Sequence, residues 1–61
     1  MSIQMRIDGN KFRFHRNMGV LMVHFNNEPA TDVDTMLSEH PELKDNKTVE
    51  FGINVAERSV K

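Results

Sequence analysis

Three histidines, a spaced pair of aspartates and a run of alternating cations are the residues of this 61-residue chain that could do chemistry. His15, His24 and His40 could ligate a metal or carry protons. No two of them have the i, i+4 spacing by which a helix presents two imidazoles to one zinc ion. With no cysteine in the chain, no thiolate can complete a structural metal site or act as a nucleophile. Asp32 and Asp34 match the opening of a calcium loop, but the third acid, the glycine at the sixth position and the closing glutamate are missing. Helix capping accounts for both acids more simply. Asp34, Ser38 and His40 include the residue types of a nucleophilic triad, yet no strained nucleophile turn surrounds Ser38. The three glycines are scattered and form no phosphate cradle. The expectation is a protein that is not an enzyme, with no catalytic residue, no cofactor and no metal.

The cations form the one constellation with a function to test. Lys11, Arg13 and His15 alternate along one segment, Arg6 joins them from the segment before, and Arg16 follows at the next turn. A surface of Arg6, Lys11, Arg13, His15 and Arg16 could hold a phosphate backbone or an acidic protein. It lacks the exposed aromatic rings on which single-strand binders stack bases, because Phe12 and Phe14 have the opposite parity and the chain has no Tyr or Trp. An acidic protein partner therefore fits better than nucleic acid. The net charge of −1 hides an asymmetry. Up to Asn27 four Lys and Arg residues face the single acid Asp8, whereas from Glu28 onward acids outnumber bases.

Local patterns set the elements that must carry these residues. Ile3, Met5 and Ile7 alternate with polar residues, and Phe12 and Phe14 do the same after Asp8-Gly9-Asn10, which spells a β-hairpin. With Asp8-Gly9 as the loop, Met5 faces Phe12; with Gly9-Asn10, Ile7 faces Phe12. The second register is preferred here because it sets Asp8 against Lys11 instead of Arg6 against Lys11. Arg16 to Gly19 reads as a turn. Val20 to Phe25, apolar on both parities, reads as a strand, with a short helix the competing reading, because two β-branched valines and the flanking turn residues favour a strand. After the loop at Asn26 to Pro29, Thr31 reads as a helix N-cap, with Val33, Met36, Leu37 and His40 on one helical face. Pro41 ends that helix near His40. Val49, Phe51, Ile53 and Val55 alternate with polar residues, the pattern of a last strand.

The expected fold is a small two-layer α+β domain of order β-β-β-α-β. It has an antiparallel three-strand meander, one edge strand, and one short helix on one face. The domain spans residues 1–55, and residues 56–61 are a frayed tail. So short a chain should be marginally stable alone. Its central strand carries more apolar residues than one helix can cover. Val20, Met22 and His24 are the expected self-association residues, with a homodimer the expected state. The N-terminus has no signal-peptide pattern, and the longest apolar run is far short of a membrane span. A cytoplasmic location without membrane contact is expected. The functional expectation is a small protein-interaction module that occludes or docks on another macromolecule. It would be a self-associating inhibitor, antitoxin-like factor or adaptor of the kind phages and mobile elements encode. The alternative is a nucleic-acid-binding regulator that uses the basic sheet face.

Overall fold

A computed structural model describes residues 1–61. The hairpin forms from β1 (Ser2–Ile7) and β2 (Asn10–Asn17), but in the register not preferred above. Ile7 pairs with Asn10 and Met5 with Phe12, which sets Arg6 opposite Lys11. The turn decides this. Asp8 and Gly9 have φ of 52° and 83°, the left-handed pair that a two-residue hairpin needs to match strand twist. Asp-Gly, in that order, is among the residue pairs this turn type prefers, and glycine carries the second positive φ without a Cβ penalty. The backbone preference of the loop outweighs one exposed like-charge pair. Met18-Gly19 makes a second turn of the same kind, with φ of 53° and 81°, and leads into β3 (Val20–Phe25).

The edge strand of the fold is not residues 49–55. It is β4, a two-residue strand at Thr31–Asp32 that pairs with Met22 and Val23 of β3. The sheet is antiparallel with order β1-β2-β3-β4. Asp32, not Thr31, caps helix α1 (Val33–Glu39), its carboxylate accepting the Thr35 N–H at 2.7 Å. A single 3-10 turn at Pro41–Leu43 follows the helix.

Residues 47–59 form a second helix, α2 (Lys47–Ser59), where a strand was expected. The Asn46 side chain accepts from the N–H groups of Thr48 and Val49, and this capping starts the helix. Val49, Gly52, Ala56 and Val60 are buried and Ile53 is half-buried. These residues share one face at helical spacing. The alternation of Val49, Phe51, Ile53 and Val55 was fortuitous, because Phe51 is left 66% exposed. The expected frayed tail is likewise replaced by the last turn of α2 and a fully buried Val60.

The two-layer α+β architecture holds, with two helices on one face instead of one helix and a fourth long strand. The core comprises Ile7, Phe12, Phe14, Leu21, Val23, Phe25, Met36, Leu43, Val49, Ala56 and Val60. The Phe12 and Phe25 rings meet at 5.2 Å and 57°, a tilted contact favourable for aromatic rings. Gly52 allows α2 to approach β1 closely: a Cβ there would lie 2.8 Å from Ile7 Cδ1 and from Met5 Sδ. No helix is long and apolar enough to cross a membrane.

Candidate functional site: the open face of the sheet

Side chains alternate across a strand. With Phe12, Phe14, Leu21, Val23 and Phe25 turned to the helices, the intervening residues stand on the opposite face, which nothing covers. Registry arranges them in cross-strand rows. Gln4, Arg13 and His24 form one row, and Ser2, His15 and Met22 form the next; Asp32 pairs with Met22, but its carboxylate turns to cap α1. Asn17 pairs with Val20, and Arg6 with Lys11. The residues expected for self-association (Val20, Met22, His24) and four of the five expected for a charged partner (Arg6, Lys11, Arg13, His15) thus lie on one face. Two surfaces read separately from the sequence are one surface.

Arg13 and His24 are at its centre and border two shallow depressions. One, of about 300 Å³, is lined only by polar residues: Gln4, Lys11, Arg13, His24 and the Asn26–Glu28 loop. The other, about 390 Å³, lies against Ser2, His15 and Arg16. The His15 and His24 rings are 5.5 Å apart. Arg6, Lys11 and Arg13 have no carboxylate within salt-bridge distance, so their charges remain available to a partner. The loop at the lip is pinned by Asn26. Its backbone N–H donates to the Lys11 carbonyl at 2.7 Å, and its Oδ1 accepts the Lys11 N–H at 3.0 Å.

Arg16 only borders this face, at the rim of the second depression. It has the parity of Phe12 and Phe14, and its guanidinium turns to the end of α2. Nε donates to the Val60 carbonyl at 2.9 Å, Nη2 to the Glu57 carbonyl at 2.8 Å and to Glu57 Oε1 at 2.6 Å, and Nη1 to the Gly19 carbonyl at 3.3 Å. A cation at a helix C-terminus also complements the helix dipole. These bonds tie β2 to the end of α2, and its even position among inward-facing residues was the signal for them.

A second polar cluster escaped the sequence reading. Loop residue Glu28 meets Glu39 and His40 at the end of α1, with their ligand-type atoms all within 4.8 Å of one another. His40 Nε2 is 2.9 Å from Glu28 Oε1, and Nδ1 is 3.7 Å from Glu42 Oε2. The ring packs 4.4 Å from that of Phe25. The Glu28 hydrogen bond is the main cause that holds the His40 pKa above its ordinary 6.5, against an opposing effect of burial. These three groups could hold a cation, though the Glu28–His40 hydrogen bond already ties the loop to the end of α1. Ser38 and Asp34 make no hydrogen bond with His40, so the three form no triad. No protein-family model, curated protein or solved structure matches this chain.

Proposed function

We propose that this chain is a non-catalytic protein-interaction module that docks its open sheet face on an acidic surface of another protein and occludes it. One observation carries the reading. The uncovered face joins unpaired cations (Arg6, Lys11, Arg13) to the half-buried Met22 and the 48% exposed Val20, with no carboxylate in the central Gln4, Arg13, His24 row. Arginine, methionine and apolar neighbours on one patch are the composition of a protein interface core, and methionine lets such a patch adapt. The uncovered cations would also steer an acidic partner to the face. An inhibitor, antitoxin-like factor or adaptor would work this way, and the absence of thiols agrees with the cytoplasm.

The test is affinity capture with the wild-type chain, Arg13→Glu, Met22→Lys and the control Lys44→Glu. The control lies beyond the 3-10 turn, off the sheet. One acidic protein retained by wild type and control, and lost from both face variants, is the expected result. Equal retention by all four would overturn the reading. The second reading, a nucleic-acid-binding regulator, draws on the paired His15 and His24 rings beside Arg13, since imidazole and guanidinium planes can stack bases. Mobility shifts at low salt that show no complex with single strands or duplexes would eliminate it.

A further inference from the structure

The two edges of the sheet are finished differently. At the β3 edge, β4 is only two residues long, Pro29 precedes it, and Asp32 and Asp34 are exposed beside it. Short strands, prolines and charges of this kind prevent an edge from pairing with another chain. β1 has none of these apart from Arg6. Its six residues, Ser2–Ile7, run in unbroken register with no proline.

Lys11 uses both its N–H and its C=O on Asn26, toward β3. By alternation, the backbone groups of Phe12 point to β1, where Met5 is opposite. Ile3, Met5 and Ile7 therefore bond to β2, and the N–H and C=O groups of Ser2, Gln4 and Arg6 point away from the sheet. An apolar strip borders the same edge on the helix side. Ile3, Met5 and Val55 are half-buried there and Phe51 is 66% exposed, around a depression of about 250 Å³ that Met5, Ile7, Phe51 and Val55 line.

We infer that the β1 edge takes a second copy of this chain, strand β1 pairing antiparallel with its equivalent about a two-fold axis at Gln4, so that one sheet runs through both copies. In this register Ser2 is opposite Arg6 of the second copy, Ile3 is opposite Met5, and Gln4 is opposite its own equivalent. The outward groups exchange about six backbone hydrogen bonds. Apolar residues meet apolar residues, and no like charges are opposed. Centring on Met5 would call on Asp8, held in the left-handed turn, to complete the outer pairs. Centring on Arg6 would oppose two guanidiniums. The strip of Phe51, Met5 and Val55 flanks the seam on the helix side. This seam uses the edge of the sheet, not its face, and is independent of the docking function.

Sedimentation equilibrium at micromolar concentration tests it, with circular dichroism to verify folding. The wild-type chain should be a dimer. Gln4→Lys and Gln4→Glu, each placing like charges across the axis, should each weaken association by up to about fivefold. Mixing the two variants should restore it. Phe51→Lys, on an exposed helical position, should weaken association without touching β1, while Met22→Lys should leave it unchanged. A monomeric wild-type chain overturns the proposal. So does association that neither Gln4 variant weakens, or that Met22→Lys alone abolishes. A Gln4→Glu chain that associates more tightly than the parent would set Gln4 against Arg6 and overturn the register.

Discussion

The same three strands present two faces that differ in every respect except backbone. Toward the helices, Phe12, Phe14 and Val23 are fully buried and Leu21 and Phe25 nearly so. On the other side their immediate neighbours Arg13, His15, Met22 and His24 are exposed or half-buried, with nothing packed over them. Stability depends on the first set, because each buried ring removes apolar area from water at roughly 25 cal/mol per Å². The second set carries cations and imidazoles that the fold does not need. Residues whose chemistry is unnecessary for folding are where function is best sought in a domain this small.

That contrast is most severely tested by Phe14→Ala. Truncating a buried phenylalanine costs about 3–5 kcal/mol, comparable to the whole stability of a domain of this size, about 3–9 kcal/mol. The variant should be largely unfolded by circular dichroism. The adjacent change Arg13→Ala should move the urea midpoint by an amount equivalent to no more than about 0.5 kcal/mol. A comparable loss from both would break the distinction between the faces.

Arg16→Met sharpens it further, because Arg16 is a cation on the apolar side. Loss of its bonds to the Val60 and Glu57 carbonyls should cost about 1–2 kcal/mol in urea unfolding. Arg13→Met should cost almost nothing.

The smallest effect is expected from pH. His40 has its pKa raised, chiefly by the hydrogen bond to Glu28. A raised folded value means that this contact contributes stability fully below the unfolded value of 6.5 and loses it as pH rises through the folded value. The urea midpoint should be slightly lower at about pH 8 than at about pH 5.5, and Glu28→Gln should remove most of that difference. Asp32 behaves oppositely. Its pKa is lowered from 3.8, first by the Thr35 hydrogen bonds, so its contribution is present above that value and lost as pH falls through the folded one. Acid titration of Asp32→Asn should lack that step.

Much of the first half of the molecule was legible from residue order. Period-two patterning and glycine-bearing turns are local signals, and they located β1, β2 and β3 and the parity of each side chain. The same parity already set Arg16 apart from Arg13, though its partners in α2 could not be known from it. The second half was less legible. Val49 to Val55 satisfies a strand pattern and a helix pattern at once, and only the Asn46 cap and the inward packing of Ala56 and Val60 separate them.

By itself the amino-acid order determined the strand meander, the α+β class and the alternation of cations with buried rings, because each depends on neighbours a few residues apart. Tertiary structure decided that Glu28 meets His40 and that the apolar and basic candidates share one face, and its burial of Ala56 and Val60, added to the local Asn46 cap, made residues 47–59 helical. Those outcomes depend on which surfaces can be brought together and buried, and that is a property of the assembled layers, not of any stretch of chain.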